Sequence, residues 1–243
     1  MKILKYSKKG SNKYKVYLED NTSILLHEDV ILKNDLLIKK EIDDIDDLLK
    51  QNGKYEILDV SIKYLSLKTR CIKEMYEYLQ KKGYLEEDIE KTINYLIEKN
   101  YLNDKIYSRN YIMDRINLSN DGPLKIINYL ESQNINEDSY YEYLDLFTKE
   151  IIYSRINKYI NKMIKSNKKS KYVLKNKIIT NLINLGYEKE DINICLENIQ
   201  EIDESSNKER EKTKLYNKLK RKYTGEELER KVREKLYQLG YFE

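Results

Sequence analysis

Apolar and polar positions change their rhythm about fifty residues into the chain. Before that point, Tyr14 to Glu19 and Ser23 to His27 are short β-favouring runs on either side of Asp20-Asn21-Thr22. Polar turn residues between two such runs predict a hairpin, with Ile3 to Tyr6 as a third strand. Ile42, Ile45, Leu48 and Leu49 then fall at helical spacing before Gly53. Residues 1–52 are expected to form a small α+β region, and 53–66 a connecting helix over about Tyr55 to Leu65.

Beyond this the pattern repeats. The segment from Met75 to Gly83-Tyr84 returns from Ile178 to Gly186-Tyr187 and again from Val232 to Gly240-Tyr241. A weaker copy runs from Ile126 to Asn134-Ile135. Gly83, Asn134, Gly186 and Gly240 thus recur about every fifty residues, the period of stacked helical units. In each copy apolar residues share one helical face: Cys71, Met75, Tyr76 and Leu79, then Leu174, Ile178, Ile179 and Leu182. The Gly or Asn that follows predicts a left-handed residue closing the helix. Acids then open a second helix, where Ile89, Ile93 and Leu96 correspond to Ile192, Leu196 and Ile199.

A third element recurs as well. Ile106-Tyr107-Ser108-Arg109 matches Ile152-Tyr153-Ser154-Arg155, and Leu215-Tyr216-Asn217-Lys218 resembles both. The expected fold is mainly α, an elongated array of a three-helix unit behind a small N-terminal hairpin region. The units are placed at 67–119, 120–168 and 169–223, with a partial repeat helix at 224–243. Gly122-Pro123 is read as a helix start, with Pro in the first turn. Thr224 and Glu227 have the spacing of a capping box.

Composition excludes more than it assigns. The formal net charge is +4 and Pro occurs once, which favours helix and makes any nucleic-acid surface a matter of local clustering. Cys71 and Cys195 are isolated, so neither a disulfide framework nor a CxxC metal site is expected. No apolar run approaches the length of a membrane span, and a soluble, cytoplasmic monomer is expected. His27 is the one histidine, read as an exposed strand-end residue, so histidine-based triads and zinc motifs have no basis. There is no phosphate-cradling Gly-rich loop, and Asp43, Asp44, Asp46 and Asp47 read as a solvated helix face. No catalytic residue, cofactor or metal is expected.

One stretch does change the picture. From Ile151 to Tyr187 there is no acid, while Arg155, Lys158, Lys162, Lys165, Lys168, Lys169, Lys171, Lys175 and Lys177 all fall within it. Arg155, Lys158, Lys162 and Lys165 step by three or four, which puts them on one helical face. Such a row can track a phosphate backbone, and Tyr153, Tyr159 and Tyr172 offer stacking surfaces. An acidic protein would suit the same charges. Arg109, Arg115 and Lys125 are further candidates.

Another set of motifs runs from the first repeat into the second: Lys81-Lys82-Gly83-Tyr84 with Glu87-Asp88-Ile89, then Tyr101-Leu102-Asn103-Asp104. Tyr107-Ser108-Arg109-Asn110-Tyr111-Ile112 with Arg115, then Gly122-Pro123 and Ile126, complete it. In this order and spacing they resemble the RecX family of recombination regulators. The resemblance implies a protein that binds the RecA recombinase, docks along its filament on single-stranded DNA, and restrains recombination and repair activity. Two positions depart from the family pattern: Leu124 precedes Lys125 after Gly122-Pro123, and Tyr107-Ser108 replaces a Phe-Ala pair. Three rival readings remain: a stand-alone DNA-binding repeat protein, a repeat scaffold for another acidic protein, and last an enzyme, which would need a site between repeats.

Overall fold

A computed structural model describes residues 1–197 and 204–242. Three strands, β1 (Ile3–Lys8), β2 (Lys13–Leu18) and β3 (Ser23–His27), form an antiparallel sheet in the order β1-β2-β3. Helices follow: α1 (Glu28–Lys33), α2 (Leu36–Lys39), α3 (Ile45–Leu65), α4 (Ile72–Lys81), α5 (Glu86–Glu98) and α6 (Asp104–Leu118). Next come α7 (Pro123–Ser132), a 3₁₀ turn (Glu137–Ser139), α8 (Tyr141–Leu144) and α9 (Lys149–Lys165). The chain ends in α10 (Lys171–Asn184), α11 (Lys189–Glu197), α12 (Ser205–Leu219) and α13 (Gly225–Gln238). Ile199 lies outside the described residues. The chain divides into two compact units, Met1–Tyr107 and Ser108–Glu243.

In the first unit the alternation of β2 turns Val16 and Leu18 inward, where they pack with Leu26, Val30, Ile31 and Leu48. The long α3 serves two cores: Leu48 belongs to this one, while Ile57 packs with Met75, Leu79, Ile89, Ile93 and Leu96 of α4 and α5. The helix before Gly53 and the connecting helix are therefore one. Gly53 has an ordinary helical backbone with open space where a side chain would sit, so it weakens the helix without stopping it.

His27 corrects the sequence reading. It is 4% exposed rather than a surface residue. Its Nδ1 accepts the Asp29 N–H and caps α1, and its ring stacks on Tyr55 at 5.2 Å. Burial comes from α3, which packs on β3 and brings Tyr55 against the ring and Asn52 to the His27 N–H. Asp44 likewise caps α3, accepting from the N–H groups of Asp46 and Asp47.

The repeat is confirmed by its helix ends. Gly83, Asn134, Gly186 and Gly240 all have left-handed backbones, with φ of 87°, 58°, 88° and 81°. Gly122 caps α7 and Pro123 takes its first position. The capping box at Thr224 does not form: its hydroxyl makes no bond to α13. Gly225 enters that helix with φ of 57°, so the turn geometry there is set by a left-handed glycine instead. In the weaker copy the second helix shrinks to the 3₁₀ turn and the four-residue α8.

Packing groups the helices one element earlier than the sequence phasing. The connecting helix α3 packs on α4 and α5, and α9, which reads as the last helix of the second repeat, packs on α10 and α11. In the latter group Ile152, Ile156 and Ile160 of α9, Leu174, Ile178 and Leu182 of α10, and Ile192 and Cys195 of α11 are all buried. In the last pair Leu228, Val232 and Leu236 of α13 pack with Leu215 and Leu219 of α12.

Candidate nucleic-acid interface

The acid-free stretch folds as α9, the loop after it, and α10. Thr148 caps α9 by accepting the Ile151 N–H. At the same end, Lys149 Nζ donates to both oxygens of the buried Asp191 at 2.7 and 2.8 Å, tying α9 to α11. That hydrogen bond holds the Lys149 ammonium above its usual pKa. With Ile152, Ile156 and Ile160 turned inward, the opposite face of α9 is left to solvent.

On that face Lys158, Lys162 and Lys165 line an open depression with Ser154, Asn157 and Asn161. Lys168, Lys169 and Lys177 lie along a second one, floored by Met163, Val173 and Leu174. Asn167 shapes the loop between, accepting the Lys169 N–H and donating to the Lys169 carbonyl. Lys171 and Lys175 are half-buried near the start of α10. Among the described residues none of these lysines comes within ion-pair distance of a carboxylate. Among the described residues, then, no carboxylate neutralises their charge.

Arg155 leaves this row. Its guanidinium is half-buried over the Phe147 ring and donates to the carbonyls of Asp121, Arg115 and Ile116. It thereby satisfies the open carbonyl end of α6, a structural task that its helical spacing did not reveal. Asp121 gathers two more candidates: its carboxylate lies 2.6 Å from Lys125 Nζ and 3.6 Å from Arg115 Nη1. Arg115 also stands over the Tyr111 ring at 4.7 Å. Arg109 is exposed on α6 and has no carboxylate partner among the described residues.

The tyrosines divide in the same way. Tyr159 is half-buried, and its hydroxyl accepts from Asn181 Nδ2 at 2.8 Å. Tyr153 is half-buried on α9, and only Tyr172, 53% exposed, presents most of its ring. Sequence reasoning missed Tyr237 and Phe242, which join Tyr172 in an aromatic cluster.

Among the described residues no helix is long and apolar enough to cross a membrane. Residues 58–96, which run from the second half of α3 through α5, match the family model for the first three-helix domain of RecX. A regulatory protein RecX from Bacillus cytotoxicus is 27% identical over 98% of this chain and 92% of its own length. The Lactococcus lactis protein of the same name is 28% identical over 96% of this chain and 91% of its own. A crystal structure of regulatory protein RecX superimposes with a TM-score of 0.69, covering 81% of this chain and 98% of its own, a likeness of fold at 21% identity. RecX from Lactobacillus salivarius gives 0.55 at 25% identity, over 59% of this chain and 94% of its own.

Three-helix domains in succession, with a cationic face left open, define a helical repeat protein. Over most of its length the chain is similar to proteins named regulatory protein RecX, which supports a regulatory role.

Proposed function

We propose that this protein binds the RecA filament on single-stranded DNA and restrains its activity, without chemistry of its own. The observation that carries the reading is the row Lys158, Lys162 and Lys165, exposed on α9 and unpaired with any described carboxylate. Unpaired ammonium groups on a rigid helix attract phosphate or an acidic protein surface without first breaking an internal ion pair. Lys168, Lys169 and Lys177 extend the same charge, and Lys171, Lys175 and Arg109 border it. A partner that is itself a repeating filament suits a protein built from repeated units. Contact across neighbouring RecA subunits would then alter filament growth or block a second DNA.

The test is RecA ATPase on single-stranded DNA with substoichiometric amounts of this protein. The expected result is a marked fall in rate, abolished by the combined changes Lys158→Glu, Lys162→Glu and Lys165→Glu while helical circular dichroism is kept. An unchanged rate together with no co-sedimentation on filaments would overturn the reading.

A further inference from the structure

Three aromatic rings meet where α10 begins and the segment after α13 returns. The Phe242 ring stands between two tyrosines in edge-to-face geometry, 5.2 Å from Tyr172 and 5.0 Å from Tyr237. Tyr237 is 66% exposed and Phe242 44%. Edge-to-face packing occupies at most part of each ring, so this cluster keeps open π surface in water.

The surroundings are cationic. Lys208 of α12 and Arg233 of α13 line a shallow groove with Tyr237 and Phe242. Neither cation has a carboxylate partner among the described residues. The acid in the groove, Glu234, is held by Lys231 at 2.8 Å and Arg230 at 3.9 Å. Of the acids near Tyr241, Glu204 accepts the Lys171 N–H and Glu211 pairs with Lys214. Among the described residues Glu234 and Glu211 are thus paired with cations, whereas Lys208 and Arg233 are not. Lys168, Lys169 and Lys171 lead directly into Tyr172 along the chain.

We infer that Tyr172, Tyr237 and Phe242 form a base-stacking site for single-stranded nucleic acid, with Lys208 and Arg233 serving its phosphates. Every base has a π face, so such a platform binds without sequence preference, and cations beside it hold the backbone. A protein partner would favour rings enclosed by apolar neighbours at an interface core, whereas here free cations share the groove. The inference rests on the proposed role only in naming DNA as the strand.

The test uses the full chain and DNA alone: anisotropy of a labelled oligothymidylate and of its abasic counterpart, for wild type and the Tyr237→Ala, Phe242→Ala double variant. Stacking predicts that the double variant binds oligothymidylate about tenfold more weakly. The abasic strand should bind both proteins alike, at the variant's level. Equal binding of the two strands by wild type would overturn the site, as would no measurable binding of either. Loss of RecA filament binding with oligothymidylate binding intact would reassign the rings to a protein contact and also overturn it. The ATPase test with the α9 charge reversal is read independently, so either proposal can fail while the other stands.

Discussion

Gly122 and Gly186 meet backbone to backbone, with no room for a side chain on either. The Gly122 N–H donates to the Leu185 carbonyl at 2.6 Å, and the Leu124 N–H donates to the Gly186 carbonyl at 3.0 Å. A Cβ on Gly122 would lie 2.4 Å from the Gly186 carbonyl oxygen, and one on Gly186 would lie 2.4 Å from the Lys125 nitrogen. The Tyr187 hydroxyl completes the joint by donating to the Asn120 carbonyl at 3.0 Å. Thus the turn that closes α10 sits on the start of α7. The turn closing α13 sits on the start of α10 in the same manner, where Ser170 Oγ donates to the Leu239 carbonyl at 2.8 Å. The Gly-Pro and Gly-Tyr motifs are two halves of one contact between repeats.

The glycines should therefore rank by environment when each is changed to alanine. Gly53→Ala should stabilise by about 0.5–1 kcal/mol, because the residue is helical and unobstructed. Gly83→Ala should cost about 1 kcal/mol, since φ is 87° but nothing lies within 4 Å of the new carbon. Gly186→Ala combines that strain with a backbone clash and should cost about 2–4 kcal/mol. Urea midpoints of the three variants check the order, and a Gly186 variant no weaker than the Gly83 variant would contradict the joint.

Arg155 should behave as a structural residue although it sits at the head of the basic row. Arg155→Ala removes the donors to two carbonyls in the last turn of α6 and to that of Asp121 beyond it, and should cost about 1–3 kcal/mol. Lys158→Ala, three residues on and exposed, should change stability by less than about 0.5 kcal/mol. Parallel denaturation of the two variants separates the roles. Equal, small losses would mean that the guanidinium is dispensable to the fold.

How far the sequence could be read follows from where each signal resides. A left-handed helix end is a local demand, met by Gly83, Asn134, Gly186 and Gly240 wherever the chain goes next, so the repeat was legible. The phase of the repeat was not, because it depends on whether α9 packs with the helices before or after it. Arg155 was misplaced for a related reason. Helical spacing assigns a face, but its partners are backbone carbonyls, which leave no trace in residue identity. His27 was read as an exposed strand end; it does end β3, but its burial comes with stacking on Tyr55 of α3, a tertiary contact. Tyr237 and Phe242 were overlooked because their neighbour Tyr172 is about seventy residues away in sequence.

Cys71 should be inert and should give the fold a pH dependence. It caps α4: its sulfur accepts the Glu74 N–H at 3.4 Å, and the Glu74 carboxylate accepts the Cys71 N–H at 3.3 Å. Burial raises its thiol from an ordinary value near 9 to about 11. The folded state thus holds the proton more tightly than the unfolded one. Stability from this group is complete below about pH 9 and is lost as pH rises toward 11. Cys71→Ser keeps a capping oxygen and removes the titration, so its urea midpoint should fall less than that of wild type on going to alkaline pH. Rapid reaction of native Cys71 with a thiol reagent at neutral pH would count against this burial.

The lysines should separate by salt dependence. An ammonium that meets phosphate releases counterions, and each such contact with a single strand steepens the log–log dependence of affinity on salt by about 0.7. Lys158→Gln, Lys162→Gln and Lys165→Gln should each flatten the salt dependence of binding to RecA-coated single-stranded DNA by up to that amount. Lys125→Gln should leave the slope unchanged, because Lys125 already pairs with Asp121 at 2.6 Å. Arg155→Gln should do the same, since its guanidinium is half-buried over Phe147 and held on backbone carbonyls rather than offered to a ligand. Repeating the titration with filaments assembled from less acidic RecA variants distinguishes phosphate from protein as the counterpart. Slopes that fall for Lys125 and not for the α9 lysines would move the interface off α9 and onto the start of α7.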